Sequence, residues 1–487
     1  MRIHYCLFLF AISLRAAAFA EGLPAIVRSE LKQVHIPQSA VAVEVIEAGR
    51  HIPLISINSA RPMNPASTMK LLTTYAGMEL LGPAYSWKTE AWLDGKLVNG
   101  VLQGDLVLKG YGDPKFTIEQ FWLWLTELRA RGLREIRGNL VLDRSFFELP
   151  AYDPADFDND PVRAYNVGPD ALLFNFNTLR LRYLPDGDKF KVISEPELDG
   201  IKLDNQLASQ PADSCAGWDD TIQIQPSSDS IVLQGGYPVN CGEREHNLSV
   251  IPHTRYVEGL FRALWHELGG KLLGQSRDGT VSLNAQLFST HYSSPLSEVI
   301  RDINKFSNNV MARQLFLTLG TADSFPPLLM EERDQQASGP ASIKPNSPAN
   351  IERSILALHN WLARKDLNFP ELVLENGAGL SRKERISAAH MAQLLQSAYD
   401  SPLSAELMAS LPILGVDGSV KKRLRESPAA SHAHLKTGTL EGVKTVAGYV
   451  HSHSGRKWIV VFLINHPYAK LGQDAQDALI EWVQQQL

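Results

Sequence analysis

A change of hydrophobic period along the chain does most to limit what it can fold into. Residues 41–60 (VAVEVIEAGRHIPLISINSA) alternate apolar positions about a Gly-Arg turn, the period of a β-hairpin. Pro65-Ala66-Ser67-Thr68-Met69-Lys70 then opens a helix with an apolar stripe at Met69, Leu72, Ala76 and Leu80, and Gly82-Pro83 ends it. From Lys88 to about Val250 the pattern becomes short alternating strands broken by Gly, Asp and Pro, with one helix at 121–131. Helical periodicity returns at 256–268, 296–319, 351–364 and 388–399. The chain then closes with apolar strands at 445–451 and 458–464 and a helix at 473–486. The Pro- and Ser-rich stretch 325–348 reads as a mobile loop, and no repeat of solenoid or propeller period occurs. This order predicts an α/β domain made from both chain ends, residues 21–88 and 252–487, with a β-rich accessory insertion over 89–251.

Charge and hydropathy exclude some functions. Forty-seven basic residues against 53 acidic ones give a net charge of −6 with no basic block, which removes the electrostatic footing for nucleic-acid binding. Beyond the N-terminus no run of about 18 apolar residues could form a transmembrane anchor. Residues 1–20 (MRIHYCLFLFAISLRAAAFA) combine a positive start, an apolar run and a small-residue Ala-Phe-Ala site, the pattern of a signal peptide. Export follows as the expectation. Cys6 would leave with that peptide, so Cys215 and Cys241 remain to form a disulfide, with two separate thiols as the alternative. No Cys-x-x-Cys exists for thiol redox chemistry or a Cys-based zinc site. His432/His434 and His451/His453 are i, i+2 pairs without a His-Glu-x-x-His, and read as surface or hairpin histidines. The absence of a Gly-x-Ser-x-Gly elbow disfavours a Ser-His-Asp hydrolase.

Three short patterns carry chemistry. Ser-x-x-Lys occurs at Ser29, Ser67, Ser419 and Ser454, so context must choose among them. Ser67 begins the apolar-striped helix, which sets Lys70 one turn on and on the same face. The helix start offers unpaired N–H groups and partial positive charge for an oxyanion, and a lysine shielded from water loses its proton near neutral pH. Ser419 and Ser454 lie in Gly-containing turns and read as surface residues. Ser-x-Asn occurs at Ser56, Ser282 and Ser307; Ser307-Asn308-Asn309 interrupts an amphipathic helical stretch and invites a turn there, because Ser and Asn compete for backbone hydrogen bonds. Lys436-Thr437-Gly438-Thr439, the single Lys-Thr/Ser-Gly, reads as a strand with Lys436 and Gly438 on one face and both threonines on the other.

In this order the motifs resemble those of the penicillin-binding protein and serine β-lactamase group. The 240-residue gap from Ser67 to Ser307 and the strings Gly104-Asp105-Leu106-Val107, Gly112-Asp113-Pro114, Asn376 to Arg382, Leu414 to Ser419 and Lys436 to Val443 narrow the likeness. They resemble the D-alanyl-D-alanine carboxypeptidase/endopeptidase family of the penicillin-binding protein 4 type, the S13 peptidases. Asn376 stands where that family leads one to expect Asp, and Ala378 where Ser is common.

The resemblance implies a penicillin-binding transpeptidase-like fold, an antiparallel sheet flanked by helices. It implies cleavage of peptidoglycan stem peptides through an ester on Ser67, with β-lactam antibiotics as inhibitors, no metal or other cofactor, and a periplasmic location. By the family pattern Lys70 takes the Ser67 proton, Ser307 relays a proton to the leaving amine, Asn309 meets the acyl amide and Lys436 polarises the Ser307 network. Thr437 and Thr439 hold the terminal carboxylate, Gly438 lets the substrate approach, the N–H groups of Ser67 and Thr439 form the oxyanion hole, and Arg382 and Glu441 bound the groove. Two alternatives share the motifs: a β-lactamase-like hydrolase, and a catalytically weak penicillin-binding sensor or scaffold.

Overall fold

A computed structural model of the chain describes residues 22–321 and 348–486. The expected signal peptide, and the expected loop at 325–348 save its last residue, lie outside the described residues. One sheet has the strand order β3-β4-β5-β1-β2, with β1 Val41–Glu47, β2 Pro53–Ile57, β3 Ala433–Leu440, β4 Val443–His451 and β5 Lys457–Asn465. Every pairing is antiparallel, and Val43 of β1 faces Phe462 of β5 in a register that joins the two ends of the chain. That sheet is covered on both faces, which is why β5 is an unbroken apolar run. Its period of two still sorts the side chains: Val460, Phe462 and Ile464 enter one core, Ile459, Val461 and Leu463 the other.

The helices are α1 Ala25–Gln33, α2 Lys70–Leu81, α3 Ile118–Ala130, α4 His253–Glu267, α5 Leu296–Phe306, α6 Asn309–Thr318, α7 Ile351–Arg364, α8 Ala388–Asp400, α9 Ser404–Ser410 and α10 Gln473–Gln484. The first core joins α1 to α10 through Val27, Leu31, Leu479, Ile480 and Val483. The second packs α2, α5, α6, α7 and α8 on the opposite face through residues such as Leu72, Ile303, Leu315, Leu358 and Leu395. The stretch expected to be helical from 296 to 319 is two helices. α5 stops because Ser307 adopts a left-handed conformation at φ 57°, and Asn308 restarts α6 by accepting a hydrogen bond from the Met311 N–H at 3.0 Å.

The region between is strand-rich. A seven-stranded sheet is built around the antiparallel pair Lys88–Val98 and Val101–Gly110, and two three-stranded sheets follow it. A separate aromatic core, with Phe121 and Trp124 of α3 and Phe261 and Trp265 of α4, holds the region together. The accessory unit is expected over 89–251. Strand Gln286–Tyr292 pairs with Lys88–Val98, and α4 packs its buried face into the aromatic core rather than against the sheet of the chain ends. We assign this unit to residues 88–292. Local periodicity identified the helix at 256–268 correctly but carries no information on which core it joins.

Cys215 and Cys241 form a disulfide across a sequence separation of 26 residues. A bridge over a loop of that length stabilises by roughly 3 kcal/mol in the chain-entropy model. Cys215→Ser with Cys241→Ser is expected to lower the chemical-denaturation stability of the accessory unit by about that amount, with Ser67 still reactive; equal stability with and without the bridge would contradict this.

Candidate active site

Ser67 lies in a 3-10 turn, Ala66–Met69, that runs directly into α2. The sequence suggests a regular helix from Pro65. The turn is tighter because its neighbours grip it: Asn64 Oδ1 accepts from the Ala66 N–H at 2.9 Å, and Thr445 Oγ1 donates to the Pro65 carbonyl at 2.7 Å. Ala66 is left at φ 45°, a strained conformation for a residue with a Cβ. Two glycines admit this turn. A Cβ on Gly379 would collide with the Ala66 carbonyl, and one on Gly438 would lie 2.7 Å from the Ser67 nitrogen. β3 therefore passes close against the Ser67 backbone at Gly438, the residue before Thr439.

Lys70 is completely buried. Its Nζ contacts Ser67 Oγ at 2.9 Å, Asn309 Oδ1 at 2.7 Å and the Ala378 carbonyl. An amide oxygen and a carbonyl only accept, so two of the three tetrahedral positions on Nζ must carry hydrogen. The third faces the serine: it donates when Lys70 is an ammonium, and is a lone pair aimed at the hydroxyl when Lys70 is an amine. Burial, then the charges of Lys436 and Arg313, hold Lys70 well below the ordinary lysine range, with Glu384 acting in the other direction. Burial and these charges favour the neutral amine as the form that faces Ser67.

A second lysine stands opposite. Lys436 is fully buried on β3 and donates to Ser307 Oγ at 2.8 Å and to the Thr437 carbonyl at 2.7 Å. Burial pushes it down to about 7. The break between α5 and α6 is what lets Ser307 reach Lys436 while Asn309, at the first position of α6, reaches Lys70. Thr437 and Thr439 lie on the opposite side of β3 from Lys436 and are more open to solvent. Arg382 donates to the Glu441 carbonyl at 3.0 Å and stacks on Phe157 of the accessory unit at 4.8 Å, so these two residues meet at the rim. A cavity of about 1660 Å³ opens beyond that rim, bounded by Arg313, Asn376 and Arg382 on one side and Tyr152 and Phe157 on the other. The expected site residues thus converge from α2, the α5–α6 turn and β3.

Other neighbours of the site were not read from the sequence. Ser419 is exposed, as expected, and its Oγ lies 2.8 Å from Thr437 Oγ1. Two residues earlier in the same turn, Asp417 accepts from the Ile413 N–H at 2.7 Å and pairs with buried Lys305 at 2.6 Å. The string Leu414 to Ser419 was its one signal. The Ala378 carbonyl had none, because a main-chain acceptor leaves no mark in residue types. Asn376, where Asp was expected, turns the same loop, accepting from the Ala378 N–H at 2.9 Å and donating to the Leu380 carbonyl at 2.9 Å. His434 and His451 lie near each other, with ring centroids 5.8 Å apart, and among the described residues no group of three or more metal-ligating side chains assembles.

A family model described as the D-Ala-D-Ala carboxypeptidase 3 (S13) family matches residues 23–334 and 341–486. The chain is 26% identical over 417 residues to the D-alanyl-D-alanine carboxypeptidase DacB of Haemophilus influenzae, covering 84% of this chain and 81% of that protein. Its fold superposes on a crystal structure of penicillin-binding protein 4 from Haemophilus influenzae with a TM-score of 0.74 at 23% identity, over 93% of this chain and 99% of the other. A structure of that Haemophilus protein complexed with a β-lactam superposes with a TM-score of 0.71, again at 23% identity and over the same shares of the two chains.

Proposed function

The chain belongs to the D-Ala-D-Ala carboxypeptidase 3 (S13) family, and from that membership we propose how its serine-peptidase reaction runs on the residues described above. It is a hydrolase of the serine-type D-Ala-D-Ala carboxypeptidase and endopeptidase class. Ser67 Oγ attacks the carbonyl carbon of the penultimate D-alanine while its proton passes to the Lys70 lone pair. The oxygen of the tetrahedral intermediate meets the N–H groups of Ser67 and Thr439, an arrangement in which one donor contributes roughly 2.7–4 kcal/mol of transition-state stabilisation. The Ser307 hydroxyl, held by Lys436, passes its proton to the leaving amine as the C–N bond breaks and is reprotonated with the proton that Lys70 took from Ser67. Water then hydrolyses the Ser67 ester by the same steps in reverse.

Asn309 Oδ1 accepts from Lys70, so its amide NH2 is the edge left for the carbonyl of the substrate's acyl part. Thr437 and Thr439 receive the terminal carboxylate, with the extended peptide beside β3 as an added strand. The leaving group is D-alanine from a stem peptide, or the D-amino-acid side of a crosslink. A β-lactam offers a strained amide to the same Ser67 and leaves an ester. The substrate lies in the cell wall, so the working location is the periplasm; no helix among the described residues is long and apolar enough to cross a membrane.

The three contacts of Lys70 Nζ carry this reading. Its test is mass spectrometry after benzylpenicillin treatment, combined with assay of D-alanine release from a D-Ala-D-Ala peptide. A penicilloyl adduct on the peptide holding Ser67, with D-alanine released, is the expected result. An adduct elsewhere, rapid turnover of nitrocefin, or acylation without D-alanine release would each reject it. Ser419→Ala removes one hydroxyl beside Thr437 and no reacting group, so KM should rise roughly fivefold with kcat little changed. Steady-state kinetics check this, and an unchanged KM would take Ser419 out of the binding site.

A further inference from the structure

Glu384 is fully buried, yet the reaction above does not use it. One oxygen of its carboxylate, Oε1, accepts three successive main-chain N–H groups, from Glu375 at 3.1 Å, Asn376 at 3.0 Å and Gly377 at 3.1 Å. The other, Oε2, is buried with no hydrogen-bond partner among the described residues. The turn gathered in this way docks on α2 at two points one helical turn apart. Thr73 Oγ1 donates to the Gly377 carbonyl at 2.6 Å, and Lys70 donates to the Ala378 carbonyl. Ser381 Oγ accepts from the Glu384 N–H at 3.0 Å and closes the loop from behind.

We propose that Glu384 is a positioning residue for Lys70: it shapes the Glu375–Gly377 turn so that the Ala378 carbonyl fixes the amine, and its carboxylate opposes the two cations on the other sides. A buried carboxylate without a lysine or arginine in direct contact is costly, and folds keep one only where other groups compensate. Here burial pushes the carboxyl up, and three backbone N–H dipoles oppose that push. The charged groups around Lys70 are Lys436 from β3, Arg313 from α6 and Glu384 from this loop. Lys436 and Arg313 lower the basicity of the amine, and Glu384 acts to raise it. Tightness of the turn and charge balance thus come from one side chain.

This inference rests on Lys70 as the base, but its primary test does not require turnover. Lysine labelled with carbon-13 at Cε allows the Lys70 protonation midpoint to be followed by NMR in the wild type and in Glu384→Gln, with Lys70→Gln identifying the resonance. Glu384→Gln keeps an oxygen for the three N–H groups and removes the charge. Loss of a nearby anion disfavours the ammonium, so the midpoint is expected to move to lower pH by about one unit. The acid limb of the acylation rate should move in the same direction, and Glu384→Asp should restore the midpoint part of the way. A midpoint equal in wild type and Glu384→Gln, with the variant folded by circular dichroism, would overturn the proposal. Failure of the wild type to be acylated at Ser67 would instead reject the reaction scheme, leaving the NMR result to decide on Glu384.

Discussion

Ser67→Ala is expected to give a folded protein that forms no penicilloyl adduct and releases D-alanine roughly 10⁴- to 10⁶-fold more slowly than the wild type, the scale seen when the nucleophile of a serine hydrolase is removed. The substitution deletes one half-buried oxygen. The contacts that define the turn around it, Asn64 to Ala66 and Thr445 to Pro65, involve the main chain on one side of each bond and are untouched. Stability should therefore change little. The variant also loses an acceptor of Lys70, whose two remaining partners keep the amine in place. Penicillin labelling followed by intact-mass measurement reads the loss directly, and a surviving adduct would mean that another hydroxyl is the nucleophile.

Lys70→Gln should slow acylation by at least roughly 10²- to 10⁴-fold, because the amide that replaces the amine has no lone pair able to take the Ser67 proton. The effect on stability has the opposite sign. A lysine whose basicity is depressed in the folded state binds more protons when unfolded, so wild-type stability rises with pH from the lowered folded value up to the ordinary lysine range near 10. Below that window the folded protein carries the cost of burying this group. Glutamine carries none, so Lys70→Gln should compare most favourably with the wild type near neutral pH, and the comparison should shift toward the wild type as pH rises to about 10. Denaturation curves at several pH values, alongside penicillin acylation rates, test both halves. Acylation at the wild-type rate would remove Lys70 from the role of base, and a stability difference flat with pH would deny that it is held neutral.

Much of the fold was legible because its causes are local. The period of two in β1 and β2, the apolar runs of β4 and β5, the stripe on α2 and the Gly82 stop each depend on residues a few positions apart. The Ser307-Asn308-Asn309 interruption was legible for the same reason: an asparagine able to cap a helix sits where the stripe falters. The seven-residue helix α9 was not read, since two turns hold too little periodicity to stand out. The joining of α4 to the aromatic core was also beyond reach, because an amphipathic face states that it will be buried and not against what.

The amino-acid sequence by itself singled out the side chains to which we assign the chemistry: a serine and lysine one helical turn apart, a Ser-x-Asn turn and a Lys-Thr-Gly strand, in an order that resembled one family. Their periodicity and spacing come from short-range geometry, which residue types encode directly. Only the tertiary structure decided that Lys70 is fully buried, that the Ala378 carbonyl accepts from it, that Glu384 gathers the turn before that carbonyl, and that Ser419 stands beside Thr437. Basicity depends on burial and on the charges of groups more than 200 positions away in the chain, and those distances exist only once the two ends have closed into one sheet.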